Sequence, residues 1–239
     1  MANHPIYQFY AELKDFKPNI WRRFQVTDDI TVAQLGYIVQ VLFEMTASHL
    51  MVIEYERPYL TSSGKLSKRM ELICQYGINN EYDPLFDTDD ADATGTKLSQ
   101  LNLEYPFRLT VWYDFGDDWR VTLTLEEITI DSSVSGKEFP HVLTGKGFGI
   151  VEDCGGIWGL EELVEAFKEK QGEEYEQYCE WLGIEDFDIK AFDLDDMNFR
   201  LKKIPRIYKQ FYEYGREPTE KSVDLIERKY LESGRTPTT

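Results

Sequence analysis

The sequence predicts an α+β fold in which a mostly antiparallel sheet with an early packed helix is followed by a helical C-terminal third. Two observations lead to this prediction. Apolar and polar residues alternate in short segments of the first half of the chain, and after about residue 158 the apolar residues recur every three or four positions. The change of period places a core domain in residues 1–170 and a helical extension, packed on that core, in residues 171–239.

The chain begins with a ββαβ-type pattern. The runs Ile6–Leu13 and Ile20–Val26 are rich in aromatic and β-branched residues, and the turn signal Lys17-Pro18-Asn19 between them predicts a β-hairpin. Thr31, followed three residues later by Gln34, has the spacing of a capping box and predicts the start of a helix. Two further strands are predicted after this helix, at Leu50–Tyr55 and Glu71–Tyr76.

A second hairpin gives the clearest alternation in the sequence. In Leu109–Tyr113 and Trp119–Leu125, apolar and aromatic residues at every second position line one face. Five residues that include Gly116 connect the two segments, which predicts a turn between antiparallel strands. Three carboxylates lie on this hairpin tip: Asp114, Asp117 and Asp118.

Helical spacing begins with a stripe that runs from Leu160 to Phe167. Acidic residues lie in the first turn of this helix and lysines in its last turn, which suits the helix dipole. Further helices are predicted at Tyr175–Leu182, at Leu194–Ile204, from Pro205 to Gly215, and from Glu220 to near Gly234.

Composition limits the classes of function. The chain has 239 residues, 42% of them hydrophobic, which is enough for a sizeable core. Its net charge of -18 argues against non-specific nucleic-acid binding, which depends on Lys and Arg. The basic stretch Arg200–Lys229 keeps a DNA-associated protein as a second alternative. No signal peptide or membrane-spanning run is readable, so we expect a soluble, cytoplasmic protein without membrane contact.

The carboxylates Asp114, Asp117 and Asp118 allow three interpretations. Oxygen atoms this close together are typical of a site for a hard metal ion, and they also suit a general acid/base pair. The third interpretation is structural, because aspartates commonly accept hydrogen bonds from backbone N–H groups in turns. The sequence favours turn capping and asserts no metal site.

A second unusual string, Glu152-Asp-Cys-Gly-Gly-Ile-Trp-Gly159, leads into the helical part of the chain. Two glycines before a helix are typical of an anion site, but Glu152 and Asp153 would repel a phosphate. These carboxylates either cap the helix N-terminus or join a site with the hairpin tip. Cys154 with His49 or His141 is a weak candidate for a nucleophile and base pair, and an inert thiol is favoured.

Four short strings occur in a specific order: Ile20-Trp21-Arg22-Arg23, Ser48-His49-Leu50, Tyr113 to Trp119, and Glu152 to Gly159. On these strings the chain resembles the plasmid pRiA4b ORF-3-like family over roughly residues 5–170. The resemblance implies a protein linked to plasmid or mobile-element biology and no defined activity. Residues 187–201 resemble the C-terminal segment of the same family.

The chain also departs from the family pattern. Ile150 and Val151 stand where the family often has two prolines. Val142, Gly149 and Met51 replace two cysteines and a histidine found in many members, which argues against a zinc site of that composition.

Two hypotheses of function follow, and the first is favoured. The protein is a non-catalytic module that binds a protein or peptide in a groove, with this candidate lining: Trp21, Arg22, Trp112, Trp119 and Trp158. Alternatively, it is a metal-assisted or carboxylate-dependent hydrolase-like enzyme with these candidate catalytic residues: His49, Asp114, Asp117, Asp118, Glu152 and Asp153. No cofactor is predicted, and a divalent cation enters only with the second hypothesis, which requires these groups to converge.

Overall fold

The computed structural model describes residues 4–60, 66–74, 91–101, 103 and 107–229. Strands dominate the first part of the chain and helices the last, which confirms the predicted α+β class. Among the described residues, no helix combines the length and the apolar character needed to cross a lipid bilayer.

Within the described part of the chain, eight strands form one sheet. They are β1 (Ile6–Leu13), β2 (Trp21–Thr27), β3 (Met51–Leu60), β4 (Leu66–Cys74), β5 (Ala91–Asp92), β6 (Phe107–Tyr113), β7 (Trp119–Thr129) and β8 (His141–Lys146). Their order across the sheet is β5-β4-β3-β6-β7-β1-β2-β8, and only the β4–β5 pair is parallel. Both predicted hairpins are present, with Glu12 opposite Trp21 in the first and Tyr113 opposite Trp119 in the second.

One face of the sheet is the wall of the core. Along β7, Val121 and Leu123 are fully buried, whereas Thr122 and Thr124 on the opposite face are partly exposed. The helix α1 (Val32–Leu42) packs on the buried face, and its N-terminus has the predicted capping box. The Thr31 side chain accepts a hydrogen bond from the Gln34 N–H, and the Gln34 side chain accepts one from the Thr31 N–H.

In the described residues after β8 there are five helices: α2 (Gly156–Glu169), α3 (Glu173–Leu182), α4 (Leu194–Leu201), α5 (Ile204–Tyr214) and α6 (Glu220–Ile226). Within the predicted extension of residues 171–239, α4 and α5 lie against α1, and α4 also contacts β8. Ile204 and Tyr208 join the hydrophobic cluster that contains α1 and the buried face of the sheet. These helices therefore complete the core, whereas α3 has no buried residue.

The helix α6 is interrupted before the predicted end of the last helix. It ends at Ile226, and Arg228 adopts a positive φ of 57°, which is incompatible with a continuing helix. The guanidinium of Arg228 instead turns back to the carboxylates of Glu44 and Asp196. The predicted end near Gly234 lies outside the described residues.

Candidate functional site

The hairpin tip and the turn before α2 lie against each other. The Gly155 N–H donates a hydrogen bond to Asp117 Oδ2 at 3.2 Å, and a Cβ on Gly156 would lie 2.3 Å from the Asp117 carbonyl oxygen. Gly156 also has a φ of 71°. Only glycine meets both conditions, so the two glycines serve the close approach of two turns. This approach brings Asp114 and Glu152 into one region.

A third segment joins these turns because of strand pairing. Met51 of β3 pairs with Tyr113 of β6, and the Asp114 N–H continues the ladder by donating to the Leu50 carbonyl oxygen at 3.1 Å. His49 therefore lies beside the hairpin tip, with the edge of its ring against Tyr113 at 5.8 Å between centroids.

The imidazole of His49 is surrounded by carboxylates. Its Nε2 atom lies 3.5 Å from Asp114 Oδ2, 3.9 Å from Glu152 Oε2 and 3.2 Å from Asp153 Oδ1. The ligand-type atoms of His49, Asp114 and Glu152 all lie within 4.8 Å of one another. We call these three residues the His49 cluster; Asp153, whose side chain is 69% exposed, flanks it.

In each carboxylate of the His49 cluster, one oxygen accepts hydrogen bonds from other residues of the protein. Glu152 Oε1 accepts hydrogen bonds from the Thr46 N–H at 2.6 Å, the Thr46 hydroxyl at 3.1 Å and the Tyr113 hydroxyl at 2.8 Å. Asp114 Oδ1 accepts one from the Gly116 N–H at 3.0 Å. Glu152 therefore bonds a loop and a strand, and not the N–H groups of α2 that the capping interpretation requires.

The second oxygen of Glu152 is different. Oε2 is shielded from solvent and has no hydrogen-bond partner. Burial accordingly raises the pKa of the Glu152 carboxyl above its usual value, against the lowering effect of the donors on Oε1. A buried acceptor without a donor is costly, and a bound water or ion is one way in which such an atom is satisfied.

Two of the candidate carboxylates lie outside the His49 cluster. Asp117 receives the Gly155 N–H, and Asp118 forms an ion pair with Arg120 at 2.9 Å. Arg120 also stacks on Trp112, with its guanidinium carbon 4.3 Å from the ring centroid. These two aspartates line a separate open pocket of about 480 Å³ beside the N-terminus of α2.

The five candidate groove residues do not come together. Trp119 is fully buried in the core and Arg22 is fully buried as well, so neither presents a surface to a partner. Trp21 and Trp112 are half-buried on the outer face of the sheet. Trp158, at 81% exposure, lies at the start of α2.

Arg22 has a structural role that its sequence context hides. Burial lowers the pKa of its guanidinium to about 10, and its donors are taken up by backbone carbonyl oxygens. The acceptors belong to Leu42, Trp21, Lys146, Gly147 and Phe148. Arg22 thus ties the end of α1 to the segment after β8.

The remaining candidates have local partners. Burial raises the pKa of the Cys154 thiol to about 12, which disfavours the thiolate a nucleophile needs. His141 is exposed and pairs with Gln25 in the register of β2 and β8. In the basic stretch, Lys209 forms an ion pair with Glu213.

Sequence reasoning missed Thr46, Tyr113 as a donor, and Tyr212. The Tyr212 hydroxyl donates to the carbonyl oxygen of His49 from α5, more than 160 residues away in the chain. One signal was available: Tyr113 ends a strand on its buried face, and a buried phenol requires a polar partner. Nothing in the sequence marks the partners of Thr46 or Tyr212.

The fold and the arrangement around His49 define an α+β protein with a polar cluster at the end of its central hairpin. The sequence model of the plasmid pRiA4b ORF-3-like protein family matches residues 5–196, and the chain belongs to this family. This confirms the resemblance read from the four short strings.

A solved structure is similar over most of the chain. It is the crystal structure of a protein of unknown function from Methanosarcina mazei Go1, with 30% sequence identity and a TM-score of 0.62. The similarity covers 80% of this chain and 96% of that protein. The search of curated proteins found no significant match.

Proposed function

We propose that the protein binds a divalent transition-metal ion through His49, Asp114 and Glu152, and that the bound ion serves hydrolytic chemistry. The observation that carries this proposal is the buried, unpartnered Oε2 of Glu152, 3.9 Å from the Nε2 of His49. A cation between these atoms would supply the missing partner.

The ligand types favour particular ions. One imidazole nitrogen and two carboxylate oxygens suit Mn²⁺, Fe²⁺, Co²⁺ or Zn²⁺, whereas Ca²⁺ and Mg²⁺ prefer oxygen ligands alone. Met51, Val142 and Gly149 replace a histidine and two cysteines that many members of the family have, but the His49 cluster does not depend on those positions.

The ligand atoms are oriented before any ion arrives. Thr46 and Tyr113 hold Oε1 of Glu152, and the Gly116 N–H holds Oδ1 of Asp114, which leaves the other oxygen of each carboxylate facing His49. Hydrogen bonds of this kind fix the orientation of metal ligands and raise affinity.

Three protein ligands leave coordination positions open, as is typical of catalytic metal sites. When bound, a divalent ion lowers the pKa of a coordinated water and polarises an ester or amide carbonyl. Asp153, with Oδ1 at 3.2 Å from His49 Nε2 and its side chain exposed, lies within reach to accept a proton from such a water.

Thermal melting with EDTA, Mg²⁺, Ca²⁺, Mn²⁺ and Zn²⁺ tests the proposal. An ion that binds only the native state at 100 times its Kd stabilises it by about 2.7 kcal/mol, or about 5–10 °C in Tm. We expect this shift with Mn²⁺ or Zn²⁺ and its loss in Asp114→Asn and Glu152→Gln.

The matched control is Asp118→Asn, which changes the same hairpin tip at a carboxylate that pairs with Arg120 outside the His49 cluster. This variant should keep the wild-type shift. If no cation raises Tm, the proposal is wrong.

A non-catalytic binding module is the second candidate function. It is favoured by the outer face of the sheet, where Tyr10 and Trp21 stack at 5.5 Å and Arg23 lies over both rings. Rigid aromatic side chains beside an arginine are typical anchors for a protein or peptide partner. Of the five candidate groove residues, only Trp21 and Trp112 lie on this outer face.

Photo-crosslinking from Gln25, on the same face, tests this second function, with crosslinking from the exposed Ser133 as the control. A partner captured only from Gln25, and lost when Trp21→Ala is added, supports the binding module. Equal capture with and without Trp21 contradicts it.

A further inference from the structure

The loop that carries His49 depends on contacts from outside itself. It runs from Phe43 to Leu50 between α1 and β3, and two of its residues, Glu44 and Ala47, adopt positive φ values of 64° and 65°. Non-glycine residues hold such a conformation only where the surroundings impose it.

Two tyrosines of α5 supply such contacts. The Tyr208 hydroxyl donates to the Met45 carbonyl oxygen at 2.7 Å, and the Tyr212 hydroxyl donates to the His49 carbonyl oxygen. Both tyrosines are buried, at 1% and 4% exposure. The helix thus holds the loop at its middle and at the residue that supplies the imidazole.

The ring of Tyr212 is itself fixed. It stacks on Tyr37 of α1 with 5.5 Å between centroids and 7° between planes. The position of its hydroxyl is therefore set by the core, and the bond to His49 transfers that position to the backbone from which the imidazole projects.

We propose that Tyr212 is a positioning residue for the metal ligand His49, and that α5 sets the metal affinity of the site. This inference rests on the proposed function. The family match ends at residue 196, before α5 begins at Ile204, so the inference assigns a role in the site to a helix beyond the matched region.

The test compares Tyr212→Phe with Tyr37→Phe in the full chain. Each variant removes one hydroxyl from the same ring stack, but the Tyr37 hydroxyl bonds Glu213 at 3.3 Å and not the loop. Isothermal titration with Mn²⁺ gives the Kd of each protein, and melting of the metal-free proteins gives their stability.

We expect Tyr212→Phe to raise the Kd about 10-fold, the lower end for groups that orient a metal ligand, and Tyr37→Phe to change it less than about 2-fold. The Tm values of the two metal-free variants should be similar. If Tyr212 had a purely structural role, Tyr212→Phe would lower the Tm and leave the Kd for Mn²⁺ unchanged.

The outcomes separate the two proposals. If the wild type binds neither Mn²⁺ nor Zn²⁺, both are wrong. If the wild type binds and Tyr212→Phe binds equally tightly, only the positioning role is wrong. Should Tyr212→Phe fail to fold, Tyr208→Phe tests the same helix, with a raised Kd expected and an unchanged Kd contradicting the inference.

Discussion

Two clusters of charged side chains lie at opposite ends of the loop between α1 and β3, and they differ in how their carboxylates are satisfied. At the start of the loop, the side chain of Glu44 is 6% exposed and pairs with Arg200 and Arg228, and Arg228 also pairs with Asp196; we call these four residues the Glu44 network. Both oxygens of Glu44 accept hydrogen bonds from arginine. At the end of the loop, Glu152 of the His49 cluster keeps one oxygen unpartnered.

The pKa values of Glu44 and Glu152 are shifted in opposite directions, in line with this difference. Burial alone would raise the pKa of Glu44, but Arg200 and Arg228 together bring it below its usual value. Burial raises the pKa of Glu152, and its hydrogen-bond donors do not reverse the shift. The Glu44 carboxylate is thus paired at both oxygens and the Glu152 carboxylate at one, although Arg200 Nε in the Glu44 network also lacks a partner. Substitutions in the Glu44 network should therefore lower the stability of the fold, whereas substitutions in the His49 cluster should lower metal binding with little effect on stability.

The largest expected effect comes from Glu44→Leu. It removes the carboxylate that Arg200 pairs with at 2.7 Å, and an uncompensated buried charge costs about 3–5 kcal/mol. Glu152→Gln should change the metal-free stability by less than about 1 kcal/mol, because Oε2 has no bond to lose. Urea denaturation measures both, and equal losses would remove the distinction between the two clusters.

The second effect concerns the approach of the two turns. Gly156→Ala places a Cβ 2.3 Å from the Asp117 carbonyl oxygen and should cost at least about 2 kcal/mol, through overpacking and positive φ. Gly183→Ala is the control, because Gly183 has a similar positive φ of 68° but nothing within 4 Å. Denaturant midpoints should fall further for Gly156→Ala, and similar midpoints would show that the turns separate freely.

Acidification should affect the Glu44 network. The folded-state pKa of Glu44 lies below its unfolded value of about 4.3, so its contribution is present above that pH and is lost as the pH falls through the folded pKa. Glu44→Gln should reduce the loss of unfolding free energy on acidification, which urea denaturation measures between pH 5 and pH 2.5. Parallel curves for variant and wild type would contradict the assignment.

The smallest effect is expected on the outer face of the sheet. Arg23 bonds both oxygens of Glu126, at 2.6 and 2.8 Å, through Nε and Nη2, whereas Arg228 bonds both oxygens of Glu44 through its two Nη atoms. The side chains of Arg23 and Glu126 are 35% and 26% exposed, and solvent-screened pairs contribute at most about 1 kcal/mol. Arg23→Gln should cost no more than that in urea denaturation, and a larger loss would mean that burial is not the deciding factor.

Much of the fold could be predicted because its signals are local. Alternation in β6 and β7, and the Thr31–Gln34 capping box, each lie within a few residues of sequence, and the structure contains both. The interruption of the last helix after Ile226 was not predicted, because Arg228 turns to a distant carboxylate, a long-range contact that local pattern does not reveal.

The site was only partly predictable, for the same reason. His49, Asp114 and Glu152 were all singled out, but their convergence depends on β3–β6 pairing and on the approach of Gly156 to Asp117. For Arg22, the local pattern was correct and the interpretation of its charge was wrong. Its alternation with Ile20 and Phe24, both buried, placed it on the core side of β2, yet its charge suggested a surface role.

The contacts around the loop between α1 and β3 also have a consequence for biosynthesis. Glu44 and Arg228 are 184 residues apart in the chain, and His49 and Tyr212 are 163 residues apart. Because the N-terminal part leaves the ribosome first, the loop emerges long before the groups that hold it. A nascent chain can form the early hairpin and α1, but His49 reaches its final position only after α5 has left the ribosome.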